Sequence, residues 1–259
     1  MAFSPEFRGA PAAARAGAAG AVVDAGLRAY MLRVYNWMAS GLLLTGVVAY
    51  GIANVPSVFD VFYPLRETAS GAVVHAPGPL AYVAMFAPLA FVLVMQFGVN
   101  RLSTKTVQAL YWAFCVAMGA SLTSIFLVYT GASIGRTFFI SAAMFGGMSL
   151  YGYTTKSDLT KMGSFLMMGL FGVILASVVN MFVHSTGLQF AISIIGVLVF
   201  VGLTAYDTQR IKADYVQYSY AEGSDVAARR SVFDALQLLL NFINLFMLLL
   251  QLTGNRNSR

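Results

Sequence analysis

Residues 231–252, SVFDALQLLLNFINLFMLLLQL, decide how the rest of the chain is read. At ~1.5 Å per residue in a helix, these twenty-two residues cover roughly 33 Å, slightly more than a hydrocarbon core of about 30 Å. At ~100° per residue, Asp234, Gln237, Asn241, Asn244 and Gln251 fall within one arc of roughly 100°. Leucines, isoleucine and phenylalanines cover the remainder, Leu236, Leu239, Phe242, Ile243 and Phe246 among them. Lipid satisfies neither a carboxylate nor an amide, so the polar edge must face other helices or water inside the protein. Hydrogen bonding between helices accounts for the amides without any further function. Asp234 is harder to account for, although it lies near one end, within reach of headgroup water.

Composition extends the same reading to the whole chain. Of 259 residues, 59% are hydrophobic and 10% charged, which places the protein among integral membrane proteins. The single Cys115 excludes an intrachain disulfide and a thiolate metal cluster. His75 and His184 each lack a second ligand at metal spacing. The net charge of +6 is scattered over short loops without interleaved aromatics, so nucleic acid is not the expected partner.

Uncharged stretches mark seven spans, at residues 34–55, 79–99, 107–130, 137–153, 162–183, 188–206 and 231–252. Residues 1–27 read as a flexible, Ala- and Gly-rich tail, 28–254 as a seven-helix transmembrane domain, and 255–259 as a short C-terminal tail. Pro88 predicts a kink in the second span. With the N-terminus inside, twelve Lys and Arg lie on inner segments and four on outer ones. By the positive-inside rule the N-terminus is cytoplasmic and the C-terminus outside. The loop at 56–78, with Asp60, Arg66, Glu67 and His75, is expected to be a solvated outer surface. Gly146, Gly147, Gly163, Gly169 and Gly172 read as close contacts between helices.

That orientation brings Arg101, Asp207 and Asp234 to one membrane level. Asp207 closes the sixth span, with Ser193 and Thr204 on the same helical side. Two plain readings compete with a functional one: Asp207 pairing with Arg210 three residues on, and Arg101 acting as a snorkelling anchor.

Three separated motifs then carry a resemblance: Tyr151-Gly152-Tyr153-Thr154-Thr155-Lys156-Ser157-Asp158-Leu159, Ala205-Tyr206-Asp207-Thr208-Gln209, and Asn241-Phe242-Ile243-Asn244-Leu245-Phe246. Over roughly residues 27–254 the chain resembles the bacterial branch of the Bax inhibitor family. The resemblance implies a seven-helix fold with the last helix in the middle of the other six, in a bacterial inner membrane. It implies a pH-sensitive calcium leak controlled on the cytoplasmic side by two aspartates sharing a proton, with an arginine latch from the second helix. Asp207 matches one aspartate, and the latch falls to Arg101. At the second aspartate this chain has Asn241, which hydrogen-bonds but neither titrates nor adds a negative charge. Asp234, on the same face and about two turns nearer the cytoplasm, is the candidate substitute, forming a displaced pair with Asp207.

On this reading Gln237, Asn244 and Gln251 line the pore, calcium is a permeant ion rather than a cofactor, and Asp207 and Asp234 hold it weakly in transit. Three other classes compete with this one. A presenilin-type aspartyl protease needs a second carboxylate close to the first, carried in a Gly-x-Gly-Asp motif; that motif is absent here, and its nearest substitute is an asparagine. An adaptor of a membrane-bound AAA protease, as the resemblance suggests for some bacterial relatives, would use the N-terminal tail. A proton-coupled transporter predicts internal repeats, and none is found.

Overall fold

The computed structural model describes residues 10–67, 71, 73–98, 101–218 and 223–257. In chain order the elements are α1 (Ala10–Asn54), α2 (Pro56–Phe62), β1 (Leu65–Glu67), β2 (Val73–His75), α3 (Pro79–Gly98), α4 (Thr104–Leu122), α5 (Ile125–Val128), α6 (Gly131–Thr154), α7 (Thr160–Val183), α8 (Thr186–Tyr218) and α9 (Ser224–Thr253). Among the described residues, six segments are long and apolar enough to cross a membrane: Asp24–Asn54, Pro79–Gly98, Thr104–Val128, Thr160–Val183, Thr186–Tyr218 and Asp225–Thr253. The expected fourth span corresponds to α6, which is not among the six. With 24 residues it is long enough, but Arg136, three serines and five glycines dilute its hydropathy.

Helix α9 packs against α1, α4, α6 and α8, while α3 rests mainly on α4 and α7 on α8. The last helix is therefore enclosed chiefly by four neighbours rather than six. Val232, Ala235, Leu236, Leu238, Leu239, Leu245 and Leu250 are buried in these contacts. Phe165 and Phe182 of α7 and Phe97 of α3 are exposed, as expected of helices that present one side to acyl chains. Lipid tails are as apolar as leucine, so close packing and polar contacts, rather than the hydrophobic effect, hold such helices together.

Several boundaries differ from the sequence reading. Helix α1 extends back to Ala10, so the expected 27/28 boundary falls inside a helix, and residues 1–9 lie outside the described part. Helix α8 continues through Asp207 to Tyr218, because the loss of hydropathy there does not interrupt the backbone hydrogen bonds. Pro88 sits within α3, which carries on as one helix. The loop at 56–78 contains α2 and a two-stranded antiparallel sheet pairing Leu65 with His75 and Glu67 with Val73.

The C-terminal residues are strapped to the rest of the protein. Asn257 N donates to Val128 O (2.9 Å), Thr130 N to Asn255 O (3.1 Å), and Asn255 N to Ser133 Oγ (2.9 Å). At its other end α9 meets the α3–α4 turn, where Arg229 Nη1 donates to Leu102 O (3.0 Å) and the Thr104 hydroxyl to Asp225 O (3.3 Å).

The α6–α7 turn is stapled to α8. Gln209 accepts from Leu159 N and donates through Nε2 to Ser157 O, both at 2.8 Å. Lys212 Nζ donates to Tyr153 O (2.9 Å). Asp158 accepts from the hydroxyl and the backbone N–H of Thr160, and these two bonds hold its carboxyl below the ordinary value. Their contribution is complete above the unfolded-state pKa of Asp158 and is lost as the pH falls through the lowered folded-state value.

Two glycines permit the closest helix approaches in this region. A Cβ on Gly152 would stand 2.2 Å from Ala205 O, and one on Gly163 would stand 2.3 Å from the Tyr206 ring. The expectation for Gly163 is met, and Gly169 meets Val199 at 3.0 Å, but Gly146, Gly147 and Gly172 face open space. Gly152→Ala is expected to separate α6 from α8 and cost about 1–3 kcal/mol through overpacking. Thermal unfolding in detergent, with Gly172→Ala as the neutral reference, checks this.

Candidate functional site at the junction of α8 and α9

Asp207 is 2% exposed and Asn241 3% exposed, and they face each other between α8 and α9. Asn241 Nδ2 donates to Asp207 Oδ2 at 2.7 Å, and Gln237 Nε2 points to the same oxygen at 3.4 Å. The other carboxylate oxygen, Oδ1, lies 3.1 Å from Arg210 Nη2, one turn further along α8. Arg210 also stands over the Tyr206 ring, 5.9 Å from its centroid. A carboxylate inside a bundle is tolerable only when its charge is compensated and its lone pairs are used. Asn241 and Arg210 meet both conditions.

The second carboxylate is arranged separately. Asp234 Oδ2 accepts from the Tyr30 hydroxyl at 2.6 Å, joining α9 to α1. Tyr30 in turn lies 4.8 Å from Tyr215 of α8, centroid to centroid. Asp234 is within electrostatic reach of Arg210, Arg230 and Asp214. No hydrogen bond joins Asp207 to Asp234 among the described residues, so Arg210 is what the two acids have in common. Among the described residues, no group of three or more His, Cys, Asp or Glu gathers as a metal site.

Of the residues expected at the site, Asp207, Asn241 and Gln237 come together. Arg101 is exposed in the α3–α4 turn, and the arginine paired with Asp207 is Arg210. Asn244 is exposed on the less covered side of α9. Gln251 is also exposed; its Oε1 accepts from Ser193 Oγ at 3.4 Å, and it borders a cavity of about 440 Å³ shared with Ser177, Asn180, His184 and Gln189. His184 ends α7 in the left-handed conformation, with φ 53°.

Other connections join residues far apart in the sequence. Thr208, beside Asp207, is 3.0 Å from Ser149 Oγ, and Ser149 contacts the Tyr35 hydroxyl, so a hydroxyl chain joins α8, α6 and α1. Arg210 was legible through its i, i+3 spacing from Asp207. The pairing of Tyr30 with Asp234 spans 204 residues of sequence and leaves no local signature.

These features define a class: a polytopic helical membrane protein whose last helix presents a polar edge to a buried carboxylate. The sequence pattern of the family described as "Inhibitor of apoptosis-promoting Bax1" matches residues 27–258, and the chain belongs to that family. It is 48% identical over 238 residues to an uncharacterized protein of Caulobacter vibrioides, covering 91% of this chain and 92% of the relative. It is 44% identical over 232 residues to the inner membrane protein YbhL of Escherichia coli K12, covering 90% and 94%. An uncharacterized membrane protein of Streptococcus pyogenes is 32% identical over 234 residues, covering 90% and 96%. The chain is a multi-pass protein of the bacterial inner membrane.

Asn241→Leu removes the best donor to Asp207 and is expected to cost about 1–3 kcal/mol, the usual penalty for a buried polar group left short of a partner. Asn244→Leu, at an exposed position of the same helix, should change stability little. Parallel thermal melts of the two variants check the contrast.

Proposed function

We propose that the protein is a pH-sensitive calcium leak channel in which the contact of Asp207 with Asn241 and Arg210 joins α8 to α9 and is the gate. The observation that carries this reading is the buried Asp207 carboxylate, held across the helix interface by Asn241 at 2.7 Å and balanced by Arg210 at 3.1 Å. Protonation would cancel the charge that Arg210 balances and take one acceptor position from Asn241. The α8–α9 contact therefore weakens on the acid side.

The hydrophilic edge of α9 offers a route. Gln251, beside the cavity at the far end, and Asn244 stand on the less covered side, and Gln237 continues that side to Asp207. Amide oxygens and one carboxylate bind a hard divalent cation weakly, which suits passage rather than storage. Asp234 lies beyond Asp207 along α9 as a second acidic station, held by Tyr30.

The proposed topology has seven crossings, with the N-terminus cytoplasmic. Support comes from α6, about 36 Å long at ~1.5 Å per residue. One end of α6 is tied to the residues following α9 and the other to Lys212 beyond Asp207. It therefore runs alongside the polar length of α9. Twelve basic residues on one side and four on the other support this orientation.

Calcium efflux from proteoliposomes, followed against pH, tests the gate. The wild-type leak should rise toward acid, Asp207→Asn should leak at one rate at every pH, and Asn241→Asp should shift the response. An Asp207→Asn protein that keeps the wild-type pH profile would overturn the reading.

A further inference from the structure

A groove of about 470 Å³ runs between α1 and α6, away from the α8–α9 contact. Leu32, Tyr35, Phe145, Gly146 and Leu150 make most of its wall, and Arg28 and Tyr153 stand at one end. Its volume lies within the range of about 300–1,000 Å³ typical of ligand sites. The wall is apolar and includes a glycine whose missing side chain would meet nothing within 4 Å. Leu32 and Leu150 are 54% and 64% exposed, so the groove faces whatever surrounds the bundle. In a chain that crosses the bilayer, that surrounding is lipid.

The charges select among lipids. Arg28 is exposed and has no side-chain partner among the described residues. Lys212 stands 5.1 Å from the centroid of the Tyr153 ring and donates one hydrogen bond to Tyr153 O, leaving two N–H groups available. Arg28 in the lining and Lys212 behind Tyr153 thus put two cations toward the same end of an apolar slot. An arginine fork suits a phosphate oxygen pair, and a lysine adds a compact positive charge. We infer that the α1–α6 groove is a binding site for one anionic phospholipid, with an acyl chain laid along Gly146 and the phosphate held by Arg28 and Lys212. The inference rests on the fold and not on the proposed channel activity.

Native mass spectrometry of the full-length protein in detergent, offered equal amounts of phosphatidylglycerol and phosphatidylcholine with identical chains, tests the site. Wild-type protein should retain one phosphatidylglycerol in preference to phosphatidylcholine by about tenfold or more, because both lipids bring the phosphate but the choline ammonium cancels its charge and is repelled by the two cations. Gly146→Leu, which fills the slot, should lose the bound lipid. Gly147→Leu, at a neighbouring glycine with equally open space that does not line the groove, should keep it. Arg28→Gln should retain lipid with a clearly smaller headgroup preference, Lys212 being left as the one cation. Equal retention by the two leucine variants, or no preference in the wild type, would overturn the assignment. If Gly146→Leu does not fold, Arg28→Gln decides alone, and an unchanged preference for phosphatidylglycerol refutes the site.

Discussion

A carboxylate cannot remain charged inside a helix bundle unless the bundle is built to receive it, and that constraint organises this structure around Asp207. One oxygen takes the amide of Asn241 and the other faces Arg210. Moving an isolated carboxylate into such surroundings costs several kcal/mol even after relaxation. The compensating groups therefore belong to the fold as much as to the site. Because Asn241 is on α9 and Arg210 on α8, meeting the needs of one side chain also registers the two helices against each other. The same region carries the tight α6–α8 approach at Gly152 and the Gln209 staple, so the three sequence stretches that carry the resemblance fold onto one another.

An asparagine at position 241, rather than a second aspartate, sets the electrostatics of this contact. Two close carboxylates must share a proton or repel each other. A carboxylate and an amide need no proton to be compatible, because the amide donates to the anion. The second acid of this chain, Asp234, has its own partner in Tyr30 and lies in a different helix contact. Arg210 is the electrostatic link between the two acids.

Much of this was legible in the sequence, for identifiable reasons. Helical periodicity placed Asp234, Gln237, Asn241, Asn244 and Gln251 on one edge, and the order of apolar segments brought Asp207 level with that edge. Periodicity gives the direction in which a side chain points but not what covers it. Asn244 and Gln251 share the arc of Asn241 and still emerge exposed, because α8 lies over only part of the arc. Hydropathy marks where lipid ends rather than where a helix ends, and so α8 ran on past Asp207 to Tyr218. In α6 the difficulty was reversed: small and polar residues that let it pack against α8 and α9 also diluted the apolar signal of a span. Strands of three residues, such as those flanking Gly71, are too short to carry a readable alternation.

The last helix is held at both tips, by the α3–α4 turn at its start and by Ser133, Val128 and Thr130 through the residues that follow it. A rod pinned at each end does not slide like a piston. Any displacement of α8 relative to it would carry the α6–α7 turn along, because Gln209 and Lys212 staple that turn to α8.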